Sequence, residues 1–422
     1  MSQRINASLH AKRVAHIYHG VSSIRTPRWF YSFIPFKIAT GGSSLLIPLY
    51  LLGLGGSAKD AGLLVALASL SSMLGSLFWG RLSDRTLKRK PFILMGMAST
   101  SVFLPAMAFA GTPYRLMLLN AVYSFFLAST VSVPIVLVLR SVRKYLWDYG
   151  IGRFNQISGW AWVGGLVLGL GLIRSTSIQT LLVIFAAINV FSVIWAARTI
   201  REAPIYVSRE NIRNFRNHVV EKVRYMPSFI LHTPTKVRNL KHRAFYLSAF
   251  LFWLSSGVYF TQFPVFLTSA GVDRSMIYLA AVLNSGISAF MYLRVGLLLQ
   301  NGNGLHILKR GLTTRLVAVG ILALSTLISP LLLPAALISY ALAGYSWSFI
   351  GISSTSIVGR LAGDREKGSA MGFLNLVNSL GYIAGSLVSG FLVDYGFVAA
   401  FTAGALFVAL SMRVLKGLSF PA

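Results

Sequence analysis

The chain alternates apolar stretches of about twenty residues with short polar connections, and twelve such stretches fit between residues 29 and 415. Twenty residues is the length a helix needs to cross a hydrocarbon layer about 30 Å thick. In lipid a backbone can pair its own N–H and C=O groups only as a helix or as a closed barrel. The runs are too long and too uniformly apolar for barrel strands, so they predict helices. The spans fall at 29–52, 61–79, 91–111, 114–139, 153–173, 179–197, 244–267, 275–298, 311–329, 331–357, 369–392 and 397–415.

Composition agrees with this pattern. Hydrophobic residues make up 55% of the 422 and charged residues 12%, where a soluble domain carries about 25% charged residues. The net charge of +29 would suit a nucleic-acid binder, but its placement argues for membrane topology. All but five of the 39 lysines and arginines fall on the termini and the even-numbered connections, counting the span ends beside them. Such connections stay cytoplasmic. Both termini are therefore expected inside the cell membrane, with anionic lipid headgroups as partners and no nucleic acid. Cysteine is absent, which excludes disulfides and Cys-based metal sites. The basic N-terminal stretch lacks the short apolar region and cleavage site of a secretory signal and reads as a tail.

A polar segment at 198–243 divides the spans six and six. The expected organisation is a cytoplasmic tail (1–28), an N-terminal six-helix bundle (29–197), a basic cytoplasmic loop (198–243), a C-terminal six-helix bundle (244–415) and a short cytoplasmic tail (416–422). The halves repeat. Pro48-Leu49-Tyr50 aligns with Pro264-Val265-Phe266, 216 residues on, which carries Gly55 onto Gly271. Gly152, Asn155 and Gly165 align with Gly372, Asn375 and Gly385, 220 residues on. Duplicated halves mark secondary transporters, with substrate bound between them near the midplane. Small residues pattern the fifth span (Gly164, Gly165, Gly169) and the eleventh (Gly381, Gly385). They suit close helix contact in lipid, either as surfaces that slide or as static packing.

The connection after the second span reads Gly80-Arg81-Leu82-Ser83-Asp84-Arg85-Thr86-Leu87-Lys88-Arg89-Lys90. It resembles the signature of the major facilitator superfamily between its second and third helices: Gly, three residues, Asp-Arg, then a basic cluster. Leu87 stands where that family usually has Gly. Together with twelve spans and a six-plus-six repeat, the resemblance covers nearly the whole chain. It implies an all-α fold of twelve transmembrane helices in two pseudo-symmetric bundles that rock about a central site. It also implies a gate of Gly80, Arg81, Asp84 and Arg85, with Asp84 facing the start of the eleventh helix and Arg140 as a candidate cation. A carboxylate at a helix N-terminus gains about 0.3–1 kcal/mol. Asp364, Arg365 and Glu366 form either a second latch or solvated surface charge.

No Asp or Glu falls within a span, which disfavours proton relay through membrane carboxylates. Lys37 is the one basic residue placed well inside a span. It reads either as a cavity cation for an organic anion or as a lysine snorkelling to the headgroups. By the resemblance the first, fourth, seventh and tenth helices line the cavity. Candidates there are Asn120, Tyr123, Tyr259, Gln262, Tyr345 and Trp347, joined by Asn284 and Asn378 of the eighth and eleventh. Each could orient a solute or bond a neighbouring helix. Trp29, Trp79, Tyr114 and Trp195 sit near span ends and read as interfacial anchors. No catalytic constellation, metal cluster or nucleotide loop occurs, so neither enzyme activity nor a cofactor is expected. The reading is a monomeric secondary transporter of a small organic solute, with export slightly favoured. The alternatives are uptake or exchange of an organic anion through Lys37, and a non-transporting receptor.

Overall fold

The computed structural model describes residues 26–86, 88–141, 147–202, 240–301, 303–361 and 367–416. Most of the basic loop at 198–243 and the group Asp364, Arg365 and Glu366 lie outside them. Among the described residues there is no strand, and twelve helical stretches follow one another. The first is broken, Phe33–Ser43 then Leu46–Gly53. The second to sixth are Ala58–Thr86, Lys90–Ala108, the broken pair Pro113–Leu127 and Ser129–Ser141, Trp147–Leu172, and Ile178–Thr199. The seventh to twelfth are Leu240–Ser269, Arg274–Asn301, Gly304–Ser325, Leu332–Leu361, Lys367–Leu392 and Phe397–Val414. Ten stretches are long and apolar enough to span a membrane by length and composition.

Several helices outrun their apolar spans. The second continues through Gly80 to Thr86, because a helix satisfies its own backbone in water as well as in lipid and need not end at the headgroups. The break in the first helix falls at Ser44–Leu45. Pro48, four residues on, has no N–H to offer the Ser44 carbonyl. The break in the fourth falls at Ala128, where Ser129 Oγ donates to Phe126 O (2.8 Å) and Thr130 Oγ1 to Leu127 O (2.7 Å), competing with the ladder. At Pro134 and Pro264 the helices run on.

Each lobe is built by the same pairings. The first helix packs on the fifth and sixth as the seventh packs on the eleventh and twelfth. The second packs on the fourth as the eighth packs on the tenth, and the third on the sixth as the ninth on the twelfth. Between the lobes the second helix meets the eleventh and the fifth meets the eighth, two contacts related by the same exchange. The repeat extends to single atoms. A Cβ on Gly165 would overlap Ile38 O, and one on Gly385 would overlap Leu254 O. A Cβ on Gly41 would lie 2.5 Å from Trp162 O, and one on Gly257 would overlap Tyr382 O. Every partner is displaced by the 216 or 220 residues that relate the halves. Gly55 and Gly271 both adopt positive φ, 85° and 74°, a conformation open to glycine.

Candidate functional site: a cavity between two lobes

The helix order puts four connections, near 54–57, 173–177, 270–273 and 393–396, on one face. The helix ends at Thr86 and Lys90, at Thr199 and Leu240, and at Asn301 and Gly304 lie on the other, called here the basic face. The contacts that join the lobes gather at the first of these faces. A Cβ on Gly62 would lie 2.6 Å from Ser386 O, and one on Gly390 would lie 2.7 Å from Lys59 Cα. Lys59 Nζ pairs with Asp394 Oδ2 at 2.7 Å. Gln262 Nε2 donates to Ala58 O (3.2 Å) and to Ser389 Oγ (2.8 Å). On the opposite flank the Tyr278 hydroxyl donates to Gly42 O (2.6 Å), with its ring against Gly169. Arg174 Nε donates to Ser275 Oγ (3.1 Å) and lies 3.6 Å from Asp273 Oδ1. Hydrogen bonds from the Ser275 hydroxyl and backbone, then the Arg174 charge, hold the Asp273 carboxyl below the usual carboxylate range.

Beyond this seal a cavity of about 920 Å³ lies between the lobes. It is walled by the second helix from Ala61 to Leu77 and by the eleventh from Tyr382 to Gly372. Exposure rises along both walls away from the seal. Ala61 and Leu64 are buried and Leu77 is exposed, while Ser386 is buried and Asn375 is exposed. Among the described residues the molecule is therefore closed at one face and open at the basic face. Trp253, Phe260, Thr261 and Pro264 of the seventh helix, Ile47 and Pro48 of the first and Val131 of the fourth complete the wall. Among the described residues no Asp, Glu, Lys, Arg or His lines it. Asn120 and Asn378 do, and the buried Asn378 Oδ1 has no protein partner.

The other cavity candidates lie elsewhere in this conformation. Tyr123 shares a hydrogen bond with Thr100 inside the N-terminal lobe (3.3 Å). Tyr259 is fully buried against Ser339 (2.6 Å), and Gln262 serves the seal. Asn284 donates to Tyr340 O (2.8 Å) between the eighth and tenth helices. Tyr345 stacks on Phe349, and Trp347 packs edge-on against Trp253, which lines the cavity (5.2 Å). Lys37 is not among the lining residues; its Nζ lies over the Phe36 ring, 5.3 Å from its centroid. Two expected anchors, Trp29 and Trp79, are instead buried, bonded to Ser141 Oγ (3.2 Å) and Phe125 O (2.9 Å).

At the basic face Asp84 is exposed and pairs with Arg89 Nη2 at 2.9 Å. Arg89, read from sequence as a topology charge, is 3% exposed and donates to the Ser83 backbone and hydroxyl. Glu202 accepts from the Arg89 and Lys90 N–H groups, both at 2.6 Å. It closes the start of the third helix, where a carboxylate offsets the helix dipole. Arg81 and Arg85 are exposed beside Asp84. Gly80 has open space where a Cβ would stand. The fourth helix carries Arg140, whose side chain lies outside what is described.

One basic residue is placed where the sequence analysis put none. Arg315 was counted with the connection before the ninth span, but it sits in the middle of Gly304–Ser325 with no exposed surface. Nε donates to Ser346 Oγ (2.8 Å) and Nη2 to Ala343 O (3.0 Å). The span boundary ran four residues before it, and position inside a span was the signal available.

A solute-sized cavity between two repeat-related lobes, sealed at one face, defines the class as a multi-pass membrane transporter. The sequence model of the Major Facilitator Superfamily matches residues 29–386; the chain belongs to that family. No curated protein matches its sequence significantly. Its fold is similar to a D-xylose–proton symporter (TM-score 0.70, 10% identity, 93% of this chain and 96% of that one). It is also similar to the peptide transporter POT (0.71, 12%, 92% and 93%) and to the nucleoside transporter NupG (0.62, 17%, 92% and 96%).

Proposed function

We propose that the protein exports a small organic solute across the cell membrane by alternating access, with the basic face in the cytoplasm. The carrying observation is the cavity walled by both lobes and sealed at one face by contacts that repeat around the lobe interface. A solute entering from the cytoplasm would meet Ser72, Ser76, Asn120, Asn375 and Asn378, with Trp253, Phe260 and Tyr382 as apolar surface. That lining suits an apolar or aromatic body bearing a few hydrogen-bonding groups. Asp84 pairs with Arg89 here and would engage the N-terminus of the eleventh helix once the cytoplasmic side shuts. His306, Lys309, Arg310, Arg413 and Lys416 share a groove between the ninth and twelfth helices; it would hold anionic headgroups at the cytoplasmic leaflet.

The absence of cysteine makes a direct test available. A Ser72→Cys chain in oriented vesicles is exposed to an impermeant maleimide from each side in turn. Alternating access predicts rapid labelling from the basic face, slow labelling from the other, and a change in that ratio when the seal is weakened. Equal rates from both sides would indicate an open pore. Labelling from one side alone, unmoved by seal variants, would indicate a static receptor.

A further inference from the structure

Arg315 has an unusual environment. Its guanidinium keeps its proton at physiological pH, it is fully buried, and it lies in the middle of the ninth helix. Among the described residues no carboxylate pairs with it; the ion pairs there are Lys59–Asp394, Arg89–Asp84 and Arg174–Asp273. Two of its nitrogens donate to neutral oxygens on the tenth helix, whereas Nη1 has no partner. Three rings surround the charge, with Cζ 5.1 Å from the Phe260 centroid, 5.3 Å from Phe252 and 5.9 Å from Tyr259.

Such a group is expensive to keep. A buried charge is compensated only by an opposite charge in good geometry, and rings and neutral acceptors supply part of that. Leucine or methionine would fill the position without the penalty. An ionisable residue at this depth is a functional hypothesis by default. The missing element is a negative charge, and the nearby compartment that admits a solute is the cavity. Phe260 is common to both: it lines the cavity and stands beside the guanidinium.

We propose that Arg315 is the charge-recognition group of the transport site, reached when the Phe260 ring turns aside, and that the solute is an organic anion: one carboxylate on an aromatic or apolar body. This deepens the transport reading and rests on it. The two free N–H groups of Nη1 would take the carboxylate in charge-assisted hydrogen bonds. The body would lie against Trp253, Phe260 and Tyr382. Among the described residues the cavity wall carries no charge that would compete with Arg315 for the anion. Lys37, on the other lobe and outside the lining, is not needed.

The test uses benzoate and benzamide, nearly equal in shape and different in charge, with calorimetry and thermal stability of the purified full chain as readouts. Benzoate should bind and raise the melting temperature more than benzamide. Arg315→Gln should weaken benzoate roughly ten-fold or more and leave benzamide unchanged. Arg315→Lys should keep part of the preference. Phe260→Ala should tighten benzoate, and this arm decides the matter if the glutamine variant does not fold. Equal responses to the two probes, no response to either, a benzoate preference that survives Arg315→Gln, or no gain in Phe260→Ala would overturn the proposal. The Ser72→Cys labelling needs no ligand. Correct labelling with failed benzoate arms would leave a transporter whose solute is not an anion; the reverse would leave an anion receptor.

Discussion

Lys59 Nζ lies 2.7 Å from Asp394 Oδ2, and the internal repeat carries these two positions onto Ser275 and Arg174, which also touch across the lobes at 3.1 Å. Both cations, Lys59 and Arg174, belong to the N-terminal lobe. Both acids, Asp394 and Asp273, belong to the C-terminal lobe. The rim is therefore complementary in charge at two corners. Each side chain is about half exposed or more, so a single pair contributes about 0.2–1 kcal/mol. Neutralising one pair should shift the population open at this face only a few-fold. Lys59→Glu should shift it further, and Asp394→Lys added to it should restore the wild-type state. Labelling of Ser72→Cys from the sealed side measures this; failure of the double variant to recover would remove the pair from the gate.

Acid should loosen the same rim. Asp273 is held low by the Ser275 hydroxyl and backbone, then by Arg174. Opening the face removes the Arg174 contact, so the closed state has the lower pKa. A lowered pKa stabilises the closed state above the open-state value, which the Ser275 bonds within the same lobe still hold below the usual carboxylate range, and that contribution fades as pH falls through the closed-state value. From this group the gate should be flat between about pH 5 and 8 and weaken below about 4. Ser275→Ala should move the loss toward higher pH. A gate that opened steeply near pH 6.5 would point to other groups.

Tyr278 offers a cleaner perturbation. Its hydroxyl donates to Gly42 O at 2.6 Å across the lobes, whereas the repeat-related position is Gly62, which packs directly against Ser386. One flank closes by a ring and a hydrogen bond, the other by bare backbone approach. Tyr278→Phe removes about 1 kcal/mol of closed-state stability, roughly a five-fold shift toward opening, with little change in melting temperature. A large fall in melting temperature would mean that the hydroxyl holds the fold rather than the gate.

Much of this was legible in the sequence, and the reasons differ by residue. Helix order follows from the length of apolar runs, which lipid enforces. The repeat could be read because Gly55/Gly271 and Gly165/Gly385 occupy positions where backbone geometry excludes other residues. Asn120 and Asn378, read as polar groups on cavity helices, line the cavity of this conformation. Tyr123, Tyr259 and Asn284 carry the same signal but face neighbouring helices, because residue type fixes polarity and not the direction a helix face takes. Arg315 was missed because the lysines and arginines near it, Lys309 and Arg310, belong to the basic face. Arg89 was misjudged for the same reason, since a cluster of cations does not reveal which one folds inward.

Asp84 tests how the loop after the second helix divides its work between the two states. Here its carboxylate is bonded to Arg89 at 2.9 Å, and Arg89 in turn fastens the Ser83 backbone. Asp84→Asn weakens that clip and, in the closed-to-cytoplasm state, would remove the charge facing the eleventh helix. Arg89→Gln disturbs only the clip. If Asp84 serves only the loop, both variants should lower melting temperature alike and leave turnover per folded molecule near normal. If it latches the cytoplasmic side, Asp84→Asn should slow transport several-fold at normal abundance, while Arg89→Gln lowers stability more than rate. Gly80→Ala sharpens the distinction. It meets open space in this conformation and should not cost stability here, so a loss of transport from it would come from close packing in the other state. Solute counterflow in proteoliposomes, normalised to folded protein, separates these outcomes, and equal behaviour of Asp84→Asn and Arg89→Gln would remove the latch.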